Sequence, residues 1–130
     1  YEADAAVIVL CNTSGVPVSL ISDGLMKVYN GKSPVEKRDS WQETPWSEET
    51  RHSAAGTYVS GEGITVKLYL KEDGSIGLTE DEKEKPLITV SPYTAIVRNP
   101  YSDLFLRLIS DEERGIFAIA YGSRMIPRRR

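Results

Sequence analysis

Ile64-Thr65-Val66-Lys67-Leu68-Tyr69-Leu70 places four aliphatic residues on one side of an extended chain and Thr65, Lys67 and Tyr69 on the other. Successive side chains of a strand point to opposite faces, so this alternation predicts a strand with one face in a core and the other toward water. Asp73-Gly74 follows and Ile76-Gly77-Leu78 resumes the pattern, which predicts a hairpin closed by a type I′ turn. The same period runs through Val16-Pro17-Val18-Ser19-Leu20, Ile88-Thr89-Val90 and Leu104-Phe105-Leu106-Arg107-Leu108. Pro17 marks an edge or a strand start there, because it cannot donate to a ladder. Ala5 to Leu10 and Ile116 to Tyr121 are more continuously apolar, as expected of central strands covered on both faces. Leu25 to Tyr29, Gly56 to Ser60, Ser75 to Thr79 and Thr94 to Arg98 are further strand candidates.

Turn dipeptides separate these runs at short intervals: Ser14-Gly15, Asp23-Gly24, Asn30-Gly31, Ser60-Gly61, Asp73-Gly74, Asn99-Pro100 and Arg114-Gly115. About eight to ten short strands at this spacing predict an all-β, single-domain antiparallel β-sandwich, jelly-roll-like, over residues 1–130. Helix is expected only as single turns at Ser47 to Thr50 and Ser110 to Arg114, each opened by an N-capping serine and followed by acids. Residues 31–55 form one long, polar loop of about 25 residues, a length that is usually functional. Glu80 to Lys85 is expected as a charged, solvated connector, and residues 122–130 as a basic C-terminal tail.

The chain has 130 residues, 40% hydrophobic and 27% charged, enough to bury a core without disulfides or a structural metal. One cysteine, Cys11, and one histidine, His52, make neither an internal bridge nor a thiolate–imidazole zinc site, so no metal and no cofactor are expected. Cys11 ends an apolar run and is expected to be a small buried hydrophobe. The formal charge of −3 gives no drive toward nucleic acid or anionic membrane, although it divides unevenly. Residues 71–85 hold six acids and three lysines, whereas residues 122–130 hold four arginines and no acid. No apolar run is long enough to cross a membrane. Asn12-Thr13-Ser14 is a glycosylation sequon, relevant only in a eukaryotic secretory pathway.

The long loop carries the most varied chemistry. Trp41 and Trp46 offer flat apolar faces with an N–H, suited to anchoring a protein, a sugar or a membrane interface, unless they fold back over the core. Glu48 and His52 share a helical face at four-residue spacing, and Arg51 and Tyr58 stand nearby in sequence. These six residues, Trp41, Trp46, Glu48, Arg51, His52 and Tyr58, are the expected ligand or partner contacts. No nucleophile motif accompanies them, so a non-catalytic module is expected. It would bind a protein or surface ligand through residues 31–55, in a secreted or extracellular setting, with oligomerisation left open. Two alternatives come from other classes: a membrane- or glycan-binding secreted toxin or effector, and a small hydrolase using His52 with a loop carboxylate or serine. Tyr93 and Tyr101, each following a proline, are expected to cap the core. The opening Val7-Ile8-Val9-Leu10-Cys11-Asn12-Thr13-Ser14-Gly15, followed by the tryptophan loop and Gly56-Thr57-Tyr58-Val59, is similar to small membrane-binding β-sandwiches such as aegerolysins over about the first half of the chain. That resemblance carries no residue roles across.

Overall fold

The structure is a computed structural model that describes residues 5–13, 16–34 and 38–129. Ser14-Gly15, the last sequon residue, Tyr1 and Arg130 lie outside the described residues. The chain divides into two compact units, Tyr1–Ser40 and Trp41–Arg130.

The second unit is an antiparallel β-sandwich of nine strands. Strands β1 (Gly56–Val59), β2 (Thr65–Leu70), β3 (Ile76–Glu80) and β4 (Lys83–Lys85) form one sheet in that order. Strands β5 (Leu87–Ser91), β6 (Thr94–Arg98), β7 (Asp103–Asp111), β8 (Gly115–Tyr121) and β9 (Arg124–Pro127) form the other, again in chain order. Both sheets are therefore meanders, each strand paired with its sequence neighbour. The predicted alternation sets the faces: Tyr58 pairs with Val66 and Leu68 with Leu78, and all four side chains are buried. In the second sheet the inward rows Ala95–Leu106–Tyr121 and Leu108–Ile119–Ile126 join them in one core.

The sheets are tied along one side. Tyr58 and Arg128 form a β-bridge, and the Arg129 N–H donates to the Thr57 carbonyl at 2.7 Å. At one position a partly buried acid links the sheets: Glu80 of β3 accepts from the Tyr121 hydroxyl at 2.9 Å, and the Lys85 ammonium lies 3.8 Å from the same carboxylate. Burial, then this hydrogen bond to an anion, pushes the Tyr121 phenol far above its ordinary value, and burial raises Tyr58 despite the opposing charge of Arg128. A raised tyrosine pKa favours the neutral folded form, so its stability contribution is complete below the unfolded value of about 10 and is lost as pH rises beyond it. Unfolding free energy is expected to fall above about pH 10. Phenolate absorbance should show a late-titrating phase, part of which disappears in Tyr121→Phe and part in Tyr58→Phe; a phase unchanged in both variants would contradict these placements.

Several expectations are corrected. The Lys71 to Gly74 turn closes the predicted hairpin, but only Gly74 takes positive φ (77°), so it is a longer loop with a left-handed glycine rather than type I′. Glu80 to Lys85 is a tight turn through Asp81 and Glu82, both left-handed, leading into β4. The Asp81 carboxylate holds it by accepting the Thr65 N–H at 2.9 Å. Ser110 to Arg114 makes no helical turn. Asp111 accepts the Arg114 N–H at 2.7 Å and Gly115 takes φ 63°, which closes the β7–β8 hairpin. Residues 124–127 of the expected tail are strand β9, fixed because Ile126 points into the core.

In the first unit, none of the expected strands forms among the described residues. Residues 5–13 have no regular structure, and Cys11 is exposed rather than buried. Val16 to Leu20 and Leu25 to Tyr29 fall instead in or beside one helix, α1 (Val18–Tyr29). Asn30 and Gly31 end it: Gly31 takes φ 68°, its N–H donates to the Val28 carbonyl at 2.9 Å, and the Lys32 N–H reaches back to Lys27 at 2.8 Å. Of the stretches similar to aegerolysins, residues 7–13 are coil, whereas Gly56–Val59 forms β1.

Candidate binding surface

Residues 41–55 of the expected loop are fixed to the sandwich. The Thr44 N–H donates to the Thr89 carbonyl at 2.7 Å, and the Trp46 indole N–H donates to the Ser91 carbonyl at 2.8 Å. Trp46 is 2% exposed and belongs to the core. Ser47 caps a second helix, α2 (Glu48–Ala54), by accepting the Thr50 N–H at 3.1 Å. Glu48 and Glu49 occupy its first turn, where the helix dipole favours anions. Ala54 is fully buried, and its carbonyl accepts the hydroxyl of the fully buried Tyr58 at 2.7 Å. Trp46 and Tyr58 are thus core residues, which corrects their assignment as contacts.

The remaining expected residues lie apart in environment. Glu48 and His52 stand 3.9 Å apart on α2 with side chains 82% and 63% exposed, a contact that water largely screens. Arg51 lies over a cavity of about 140 Å³ lined also by Glu43, Trp46, Lys71, Ile76 and Leu87. Its Nε is shielded from solvent and has no hydrogen-bond partner among the described residues. Among the described residues no three His, Cys, Asp or Glu side chains gather as a metal site requires.

Trp41 is different. Its indole N–H donates to the Asp103 carboxylate at 2.7 Å, and its ring meets Phe105 edge to face, with centroids 5.4 Å apart and planes at 85°. Phe105 points outward from β7, since its neighbours Leu104 and Leu106 face the core. It remains 52% exposed. Beside it runs a second outward row, Thr94–Arg107–Ala120–Met125, across four strands, ending at an exposed methionine. Ala120 and Gly122 carry little or no side chain, which leaves a hollow of about 300 Å³ walled by Phe105 and Arg107. Tyr101, in the β6–β7 turn beside Asp103, and Tyr93, in the β5–β6 turn, are exposed at opposite ends of β6 rather than capping the core.

Compared with protein-family models, curated proteins and solved structures, the chain matches none. Phe105, Arg107 and Met125 escape a sequence reading because each sits in an ordinary alternating or basic stretch. Only the register shows that they share a face with Trp41. The sequence places Arg128 in the basic C-terminal tail. Its guanidinium donates to the carbonyls of Ser53 and Ile116 at 2.9 and 3.2 Å and to that of Ala55. It thereby caps the C-terminal end of α2 while holding β8 beside it.

Proposed function

We propose that the Trp41–Arg130 unit is a non-catalytic binding module that recognises a protein partner with the outer face of its five-stranded sheet. The observation that carries this reading is the half-exposed Phe105, packed against the partly buried Trp41, beside the Arg107 to Met125 row. Tryptophan, phenylalanine, methionine and arginine are the side chains enriched in interface cores, and a hollow flanked by an aromatic ring suits an anchoring side chain. Trp41 retains the role expected of the loop, and the sheet supplies the rest. The Trp41–Asp103 hydrogen bond orients the indole, so little rotamer freedom is left to lose on binding.

Partners captured by the unaltered chain should be lost by Phe105→Ala and by Met125→Ser, and retained by Glu113→Ala on the β7–β8 turn. Affinity measured with the purified partner should fall by about tenfold or more for Phe105→Ala, as for a central anchor. Equal affinity of all three variants would remove this face as the binding surface.

A further inference from the structure

Among the described residues, the Arg51 Nε is the one buried side-chain nitrogen or oxygen without a hydrogen-bond partner. Arg128 shows how the same fold satisfies a guanidinium, with N–H groups ending on three carbonyls. Arg114 and Arg124 are paired with Asp111 and Glu62. Arg51 has no such partner: its two Nη groups are neither buried nor hydrogen-bonded among the described residues. An unmet buried donor costs folding free energy, so stability does not account for an arginine at this position of α2.

The cavity that Arg51 lines, about 140 Å³, lies where α2 and the chain before it cover the gap between the β2–β3 hairpin and β5. Every lining residue belongs to the Trp41–Arg130 unit. Trp46, Ile76 and Leu87 give it apolar walls, and Thr89, 5% exposed, is a buried polar residue beside them. Its charged side chains are Arg51 and Lys71 against one acid, the exposed Glu43. This combination selects among occupants. Water takes about 30 Å³ per molecule and needs two to four polar partners, which apolar walls withhold. A phosphate dianion gains nothing from those walls and meets the Glu43 carboxylate. A flat monocarboxylate fits both ends, because an arginine fork matches its two oxygens and a short hydrocarbon body suits the walls.

We propose that this cavity is a binding site for a small aliphatic monocarboxylate, whose oxygens accept from the Arg51 Nη groups and whose body packs on Trp46, Ile76 and Leu87. Lys71, already 3.3 Å from Glu84, adds positive charge from the hairpin, and Glu43 opposes it. The site is separate from the Phe105 face and does not depend on that face binding a protein.

The chain has two tryptophans, so its indole N–H signals in a proton–nitrogen correlation spectrum are two, and Trp41→Phe identifies that of Trp46. The test titrates the full chain at constant ionic strength with propionate, its neutral isostere propionamide, and inorganic phosphate, following the Trp46 signal. Propionate is expected to saturate it with a Kd of about 1 mM, at least about tenfold tighter than either of the others. Arg51→Met, which keeps the aliphatic stem, should abolish this response without lowering the melting temperature of the unliganded chain. Glu43→Gln should tighten propionate by about twofold, and Phe105→Ala should leave it unchanged. A response equal for propionamide would mean apolar filling alone, and one equal for phosphate a general cationic patch; either overturns the proposal. So would the lack of a saturable shift, or saturation retained in Arg51→Met. The three-ligand comparison uses the unaltered chain and decides even if a variant misfolds.

Discussion

Trp46→Ala is expected to destabilise the sandwich by about 3–5 kcal/mol, whereas Trp41→Ala costs about 1–2 kcal/mol. The two indoles lie five positions apart in a polar segment, yet Trp46 is enclosed by the core and Trp41 rests on the outside of a sheet. Removing the Trp46 ring leaves a cavity that surrounding side chains fill only in part, and leaves the Ser91 carbonyl without its N–H donor. Small domains have about 5–15 kcal/mol in total, so the Trp46 variant should be partly unfolded at modest denaturant while the Trp41 variant keeps a cooperative transition. Urea unfolding followed by far-ultraviolet circular dichroism measures both. Trp46→Phe should recover most of the loss, since it restores ring volume and forfeits one hydrogen bond. Equal costs at Trp41 and Trp46 would contradict the core placement.

Arg128→Ala is expected to cost about 2–4 kcal/mol, and Arg128→Lys to recover less than half of it. Carbonyls of Ser53, Ala55 and Ile116 converge on one planar guanidinium, a fork that an ammonium cannot reproduce. Because the acceptors are carbonyls rather than carboxylates, the loss should be nearly the same at low and high salt. Gly56→Ala should behave similarly, since a Cβ there would lie 2.7 Å from the Arg128 Nε and push the clamp aside. Substituting Arg124, whose partner Glu62 is two-thirds exposed, should change stability by less than about 1 kcal/mol. Denaturant titrations of the four variants at two salt concentrations separate these outcomes; an Arg128→Ala loss that vanishes in salt would mean that the residue acts as a surface charge.

The strands between residues 56 and 121 are legible because one buried face imposes period two, and Thr94 to Arg98 coincides with β6. Strand β4, Lys83-Glu84-Lys85, is not, since an edge strand with exposed side chains leaves no apolar period to detect. Strand β9 is hidden for a similar reason, with only Ile126 of its four residues buried. Helix α1 is misread because Val16, Val18 and Leu20 alternate while Val18, Ile21, Leu25 and Val28 also recur at helical spacing. Asp23-Gly24, which looks like a turn, sits within the helix, and a Cβ on Gly24 would meet Pro34 only at ordinary contact distance. Asp111 shows the same ambiguity in reverse: a side chain that accepts the N–H three residues on can begin a helix or close a hairpin. As for the binding surface, composition singled out the tryptophans, but only strand register could tell the enclosed one from the one beside Phe105.

The meander has a consequence for the order in which the sandwich assembles. Each sheet pairing joins neighbours in sequence, so loop closure is short and each hairpin can form as soon as its two strands exist. The longest closures are those of Arg128 on the Ser53 and Ala55 carbonyls, which span 75 and 73 positions. Those closures must wait for the ninth strand. The same guanidinium that ends a helix is therefore expected to close late in folding, after the local hairpins whose strands it ties together.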